Sequence, residues 1–203
     1  MNHEISFSLI LFRNFQNCNH INEFSLSEET KTKMDLLFKV AIKGDIGAIS
    51  KILSENIIDI NQKHLFSNTL LHLSCFLEET NFTKLLLQKF ELDIDVNCIN
   101  YAKETPLHLA CEYDNLERCE LLLAFPGINV NYQTHSGTTP FMKICGSRQP
   151  QAPEIVKAFL KHKDIQVNLR DHFGSTAFHY ACLRGKPEVK KKAFFFFFFF
   201  FFS

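Results

Sequence analysis

The sequence is poor in the residues and patterns that mark several large classes of protein. Tryptophan is absent, and glycine occurs only 7 times among 203 residues. No Gly-x-Gly-x-x-Gly, phosphate-loop or nucleophile-elbow motif is present, so the sequence carries no signature of those enzyme classes. Lys+Arg and Asp+Glu are equal at 22 each, which argues against the clustered positive charge of a nucleic-acid-binding protein.

Secretion signals and long apolar runs are also missing. The first residues lack the positive charge of a secretory signal, and the apolar stretch from Ile5 to Phe12 is too short to span a bilayer. The seven cysteines form no paired framework. These features predict a reduced, soluble, cytoplasmic protein with no membrane association, and a hydrophobic content of 46% is enough to fill a core.

What the sequence does contain is an internal repeat. The pattern Ile-(Asp/Asn/Gln)-(Ile/Val)-Asn occurs four times, and a threonine follows each Asn by eight residues. The repeated residues are Asn61, Asn97, Asn131 and Asn168, with Thr69, Thr105, Thr139 and Thr176. Both series advance by 36, 34 and 37 residues. A period of this length predicts a stacked array of small units, whose usual task is to hold a partner.

Each unit reads as two short helices followed by a connector. In the third unit, Pro106 suits the first turn of a helix, and Leu107 and Cys111 recur at helical spacing. A second apolar segment runs from Leu116 to Phe125. The interval from Asn to Thr never changes, whereas the additions fall inside units, near Phe90 and at residues 148–153. We therefore expect a fixed connector that preserves the stacking offset, and variable loops elsewhere.

These residues resemble the ankyrin repeat family. Residues 105–110, Thr-Pro-Leu-His-Leu-Ala, match its T-P-L-H-x-A signature, and residues 69–74 and 176–181 are close variants. The resemblance implies an all-α solenoid of helix–turn–helix units with hairpin-like connectors. It covers units at about 35–68, 69–104, 105–138 and 139–175 and a partial unit at 176–193. Residues 1–34 are expected to cap the array, with a helix starting near Ser25.

The sequence departs from the family pattern at several positions. The first unit lacks both the Thr and the His, and Met142 stands where the fourth unit should carry His. Gly137 and Gly174 occupy the turn two residues before the Thr, but Ser67 and Lys103 replace that glycine in two connectors. We expect those two connectors to be looser or differently shaped, because glycine adopts the left-handed conformation most readily.

A recurring His-x-x-Cys pair is the most tempting chemical motif. It occurs at His72/Cys75, His108/Cys111 and His179/Cys182. Zinc needs four converging ligands, whereas these pairs belong to different units and cannot meet at one ion. We therefore expect each His to cap its helix beside the Thr and each Cys to be a small buried hydrophobe. No metal, cofactor or catalytic residue is predicted.

What remains is a binding surface on the concave face that the resemblance implies. Positions after each small Cys and at the connector tips differ from unit to unit, as expected of residues that do not pack. Aromatic residues with nearby polar groups suit protein recognition. The candidates are His64, Phe76, Leu77, Asn100, Tyr101, Glu112, Tyr113, His135, Asp171, His172 and Arg184.

These observations predict a non-enzymatic, monomeric interaction module that binds another protein. Two alternatives stay open: a fragment of a larger regulatory enzyme or channel that carries such an array, and a zinc or redox protein that uses the His-x-x-Cys pairs. The nine consecutive phenylalanines at 194–202 have no amphipathic period and form a low-complexity tail. We expect them to reflect a misread coding end beyond which the array continues, with a membrane-dipping tail as the alternative.

Overall fold

The structure is a computed structural model that describes residues 28–55, 59–77, 80–192 and 194. In these ranges the helices follow one another as α1 (Glu28–Ile42), α2 (Ile46–Ser54), α3 (Leu70–Phe76), α4 (Thr80–Lys89), α5 (Pro106–Glu112), α6 (Leu116–Leu123), α7 (Pro140–Cys145), α8 (Ala152–Leu160) and α9 (Ala177–Arg184). Residues 187–192 are also helical. No β-strand occurs in the described ranges, and the predicted all-α fold is confirmed.

The helices form two rows. Odd-numbered helices α1, α3, α5, α7 and α9 contact one another in sequence and make the inner row. Even-numbered helices α2, α4, α6 and α8 make the outer row, and each packs on the inner helix that precedes it. Every unit is therefore one inner and one outer helix, stacked on its neighbours as the repeat length predicts.

A threonine starts each of the inner helices α3, α5, α7 and α9. In α3 the Thr69 N–H donates to His72 Nδ1 over 3.2 Å, while the His72 N–H donates to Thr69 Oγ1 over 3.4 Å. The same reciprocal cap joins Thr105 to His108 and Thr176 to His179. This capping box satisfies backbone donors that the first helical turn leaves unpaired. The predicted capping role of the histidines is confirmed.

One continuous apolar core runs between the two rows. Outer helices α4 and α6 bury residues in the order i, i+1, i+4 and i+5, as in Phe82, Thr83, Leu86 and Leu87 of α4. The inner helices contribute fully buried Leu70, Leu107 and Ile144 together with the cysteines at 75, 111 and 145. Those three cysteines behave as the small apolar residues that the sequence predicts, whereas Cys182 of the last unit is exposed.

The constant spacing of eight residues between Asn and Thr corresponds to a connector of fixed shape. Its central turn closes with two backbone hydrogen bonds, such as Asn100 N–H to the Glu104 carbonyl and Lys103 N–H to the Asn100 carbonyl, both 3.0 Å. Equivalent turns begin at His64, Thr134 and Asp171. Lys103, at φ 55°, adopts the left-handed conformation of Gly137 at φ 80°. The expectation of a differently shaped connector was therefore wrong at Lys103.

The connector at Ser67 does differ in detail. A short 3-10 helix covers Leu65–Ser67, and both Phe66 and Ser67 have positive φ, at 57° and 58°. Two consecutive left-handed residues replace the single one found in the other connectors. Its closing hydrogen bonds are nevertheless those of the other three turns, so the stacking offset is preserved.

The described ranges also bear on the expected unit boundaries. Helix α1 runs through residue 34, so the boundary expected between cap and array falls inside one helix. The helix start expected near Ser25 lies outside the described residues, as do residues 195–202 of the phenylalanine run. In the last unit, residues 187–192 form the expected second helix, and Val189 is fully buried.

Candidate functional site

Asparagine side chains join each connector to the next unit. Asn97 Nδ2 donates to the Gly127 carbonyl over 2.9 Å, and the Asn129 N–H donates to Asn97 Oδ1 over 2.8 Å. Asn61 and Asn131 make the same pair of bonds to the units that follow them. Only an amide supplies one donor and one acceptor in this geometry, which explains why asparagine recurs.

The buried histidines form a second link between units. His72 Nε2 donates to the Glu104 carbonyl over 2.9 Å, and His108 Nε2 donates to the Thr138 carbonyl over 3.1 Å. Because Nδ1 accepts from the threonine, both ring nitrogens are engaged and the ring is neutral. Burial lowers the pKa of both side chains from 6.5 to about 4. These histidines therefore act as structural links, and Met142 cannot repeat the bond because it has no donor.

Buried cysteines are poorly suited to nucleophilic chemistry. Burial raises the pKa of the Cys75 thiol to about 12, and it raises the pKa of Cys111 and Cys145 as well. A thiol that stays protonated is a weak nucleophile. The buried thiols of Cys75, Cys111 and Cys145 therefore contribute to packing, as the sequence predicts.

The connectors lie against the exposed side of the inner row. His64 Nε2 lies 3.1 Å from Asp35 Oδ1 of α1, and Tyr180 of α9 donates its hydroxyl to Asp171 Oδ2 over 2.8 Å. Lys143 of α7 reaches Glu104 in the second connector. The connectors and the inner row thus form one continuous surface.

An inner-row cluster of five residues occupies the middle of this surface: Phe76, Glu104, Glu112, Tyr113 and Lys143. The rings of Phe76 and Tyr113 meet edge to face with centroids 5.2 Å apart. Lys143 Nζ lies 2.5 Å from Glu104 Oε1 and 2.6 Å from Glu112 Oε2. The cluster therefore combines an aromatic pair with one ammonium group between two carboxylates.

Charge within the inner-row cluster is set by mutual pairing. Burial is the largest single effect and opposes the ionised forms of Lys143 and Glu104. Hydrogen bonds and the attraction of opposite charges together outweigh it, raising the pKa of Lys143 and lowering that of Glu104. Burial, followed by the nearby Glu112 and Glu104 carboxylates, raises the pKa of Tyr113 to about 12. The cluster thus carries one net negative charge at neutral pH, and the Glu112 side chain is 52% exposed.

The structure brings several of the predicted residues together. Phe76, Glu112 and Tyr113 belong to the inner-row cluster, and Leu77 lies next to it. Tyr101, His135 and His172 lie in one row at the connector tips, where the His135 N–H donates to the Ala102 carbonyl over 3.3 Å and the His172 N–H donates to the Ser136 carbonyl over 2.9 Å. All three are exposed residues, and the His135 ring also donates from Nε2 to the Tyr101 carbonyl over 3.1 Å.

Other predicted residues make contacts within the fold. The His64 side chain is only 7% exposed and packs on the Phe38 ring at 4.5 Å. Asn100 Oδ1 accepts from two backbone N–H groups of its own turn, and Asp171 Oδ1 does the same in the fourth connector. The structure therefore differs from the expected exposed tips at His64, which packs on α1, and at Asp171, whose side chain closes its own turn. Arg184 is exposed at the far end of α9.

Two residues that sequence reasoning missed are Lys143 and Arg118. Counting back from the repeated cysteines, Lys143 shares its position with Leu73 and Leu109, so a charge replacing an apolar residue was the available signal. Arg118 lies in the buried register of the outer helices, at the position that Phe82 and Ile155 hold in the neighbouring units. Its guanidinium donates to the Cys75 and Leu77 carbonyls and to Thr83 Oγ1.

Comparison with known proteins agrees with the geometry of the units. A model of ankyrin repeats in three copies matches residues 36–134, and a second model of ankyrin repeats in many copies matches residues 148–191. Together these two matches account for most of the chain. Ankyrin repeats generally mediate binding to other proteins.

Individual relatives share this region but differ in size. The chain is 26% identical over 82% of its length to a transient receptor potential cation channel subfamily A member 1 homolog of Caenorhabditis elegans, of which it covers 13%. It is 40% identical over 37% of its length to human Rabankyrin-5, of which it covers 6%. It is 32% identical to the Escherichia coli ankyrin repeat protein YahD, with 64% of each chain covered.

The chain therefore spans less than two thirds of the length of each of these relatives. No helix among the described residues combines the length and apolar character required to cross a membrane. The repeated threonine caps, the asparagine links and the matching family models together show that the chain belongs to the ankyrin repeat family.

Proposed function

We propose that this chain is a non-enzymatic interaction module that binds another protein on its concave face. In this proposal the face consists of the exposed side of the inner row and the connector tips. The array comprises units at about 35–68, 69–104, 105–138 and 139–175 with a partial unit at 176–193, and the segment before it acts as a cap. The module works as a cytoplasmic monomer without a cofactor.

One observation carries this proposal: residues at the repeated positions pack within the stack, whereas several residues at positions that vary between units are exposed or partly exposed on one surface. Leu73 and Leu109 are buried at the position where Lys143 and Tyr180 are partly exposed. Tyr101 is 56% exposed at the tip of its connector. Aromatic side chains exposed beside paired charges are the composition expected of a recognition surface.

Quantitative capture from an extract of the source cell tests this function. The full chain is compared with a Tyr101→Ala/Tyr113→Ala/His135→Ala variant on the proposed face. A matched variant, Leu92→Ala/Glu120→Ala/His162→Ala, changes three residues away from that face. Proteins retained by the wild type and the control but lost from the first variant support the proposal. Equal retention by all three proteins would reject the face.

A second candidate function rests on the breadth of the match to the channel relative, which extends over 82% of this chain. Under this proposal the array is a fragment of a larger regulatory enzyme or channel. Sequencing the full transcript decides between the two. A membrane or catalytic segment in the same reading frame supports the longer protein, whereas a confirmed stop codon after Ser203 rejects it.

A further inference from the structure

The connector tips carry an excess of positive charge together with exposed aromatic rings. Lys63, Lys103 and Arg170 are exposed cations, and Phe66, Tyr101 and Phe173 expose 40%, 56% and 86% of their surface. We call these six residues the tip ridge. The whole chain has a net charge of zero, so this surplus is a local feature of the connectors.

The carboxylates of the connectors do not neutralise the tip ridge. Residues 62–68, 98–104, 132–138 and 169–175 contain only two acidic side chains, Glu104 and Asp171. Glu104 is paired with Lys143 of the inner row. Asp171 is only 6% exposed and accepts hydrogen bonds from its own turn and from Tyr180. Both connector carboxylates are therefore engaged within the fold, whereas Lys63, Lys103 and Arg170 are exposed along the ridge.

Backbone hydrogen bonds hold the tips in a fixed row. The Tyr101 N–H donates to the Phe66 carbonyl over 3.0 Å, and the same kind of bond joins the second connector to the third and the third to the fourth. Each connector consists of two antiparallel backbone segments. Because hydrogen-bonded segments lie about 4.8 Å apart, equivalent positions in neighbouring connectors are roughly 10 Å apart. An extended chain covers that distance in about three residues.

We infer that the tip ridge binds an extended, acidic protein segment that also carries aromatic or apolar side chains. An acidic residue facing Lys63 would be followed about three residues later by one facing Lys103 and, because the third connector has no cation, about six residues after that by one facing Arg170. The intervening apolar groups would pack on Phe66, Tyr101 and Phe173. This inference rests on the proposed function and specifies the chemistry of its partner.

Other anionic partners fit the same surface less well. Three cations would neutralise at most a few phosphates, which is a small footprint for a nucleic acid. The net negative charge of the inner-row cluster, which includes Glu104 of the second connector and the partly exposed Glu112, would repel phosphates of either a nucleic acid or an anionic bilayer. A protein segment can instead place a backbone N–H or a basic side chain opposite Glu112, while its acidic residues contact the ridge.

Binding of a defined probe tests this inference. A dye-labelled random copolymer of glutamate and tyrosine is titrated with the full chain at low salt and followed by fluorescence anisotropy. We expect binding that weakens as salt is added, and a loss of about tenfold in affinity in Lys103→Glu/Arg170→Glu. Lys161→Glu/Lys163→Glu is the matched control, because it makes the same change in net charge at exposed residues on the side of the outer row.

Several outcomes would overturn the inference. These are no binding of the copolymer, equal weakening by the control variant, or equally tight binding of a lysine–tyrosine copolymer. Phosphatidylserine vesicles or duplex DNA that bind with the same dependence on Lys103 and Arg170 would assign the ridge to another class of partner. In each of these cases the capture experiment with the Tyr101, Tyr113 and His135 variant would remain a valid test, so the proposed function is tested separately.

Discussion

At the residue scale, Asn97 illustrates how a single side chain joins two units. Its amide donates to the Gly127 carbonyl and accepts from the Asn129 N–H. In Asn97→Asp the carboxylate faces a carbonyl oxygen and the donor is lost, so we expect a loss of about 2–3 kcal/mol in the free energy of unfolding. Urea denaturation measures this loss. Asn168→Asp is the control, because Asn168 holds the same repeat position but is exposed; an equal loss there would contradict the linking role.

Gly137 and Gly174 permit a second matched comparison. Both have positive φ, at 80° and 77°. A Cβ at Gly137 would lie 2.9 Å from backbone atoms of Asp171 and His172, whereas a Cβ at Gly174 would meet nothing within 4 Å. We expect Gly174→Ala to cost about 1 kcal/mol for the left-handed conformation and Gly137→Ala to cost about 3 kcal/mol or more. Equal thermal destabilisation of the two variants would show that the tips are not closely stacked.

The buried histidines predict a pH dependence of stability. The pKa of His72 and His108 falls from 6.5 to about 4 on folding, so below pH 6.5 the unfolded chain takes up protons that the folded chain does not. Stability is therefore complete above pH 6.5 and falls as the pH is lowered toward 4, by up to about 3 kcal/mol for each histidine. Urea denaturation across this range measures the slope.

A His72→Met/His108→Met variant provides the control for that pH dependence, because Met142 already replaces His in the fourth unit. We expect the variant to be less stable at pH 7.5, since the donors to the Glu104 and Thr138 carbonyls are lost. Its stability should change less between pH 6.5 and 4. A slope equal to that of the wild type would assign the acid sensitivity to other groups.

Residues that repeat could be interpreted from the sequence, because a repeated position implies a repeated contact. Thr105 and His108 were predicted to cap a helix, and the structure shows that bond. Lys143 and Arg118 occur at their positions only once. Their roles depend on contacts with neighbouring units, which no local pattern reports. Asp171 was predicted to be exposed at a connector tip but is buried, for the same reason: its partner Tyr180 is nine residues away on another element.

At the scale of elements, a buried arginine joins an outer helix to the inner helix of the preceding unit. Arg118 of α6 donates to the carbonyls of Cys75 and Leu77 at the C-terminal end of α3, where the helix dipole favours a cation. Arg118→Leu leaves those carbonyls without these donors, and we expect it to cost about 2–4 kcal/mol. Ile155→Leu is the control in the same register and should cost less than about 1.5 kcal/mol. Chemical denaturation of both variants tests this role.

Helix boundaries followed closely from the sequence, with instructive exceptions. Pro106 begins α5 as predicted, and α6 ends at Leu123, two residues before the expected end. The N-terminal boundary was harder, because nothing local separates a capping helix from the first helix of an array. Met34 and Leu37 lie on either side of the expected boundary, and both are buried in the continuous helix α1. Its packing on α2 and α3, rather than its own sequence, makes it part of the stack.

At the scale of the whole molecule, stability should vary along the stack. Units in the middle are linked on both sides through asparagine and histidine, whereas the last unit exposes His179, Cys182 and Leu183, the last at 74%. We expect backbone amides of α9 to exchange with solvent at least about a hundredfold faster than those of α5. Native-state hydrogen exchange measures this difference. Uniform protection along the chain would indicate that all units unfold together.

The links between units have an asymmetry with consequences for evolution. On one side they use a recurring asparagine or histidine side chain, and on the other a main-chain hydrogen bond joins each connector to the next, which any residue except proline can donate. Substitutions at Tyr101 or Phe173 therefore leave these main-chain bonds in place, and a substitution at His135 removes only its side-chain bond to the Tyr101 carbonyl. Single substitutions can therefore change the exposed surface during evolution while the stack of units still forms.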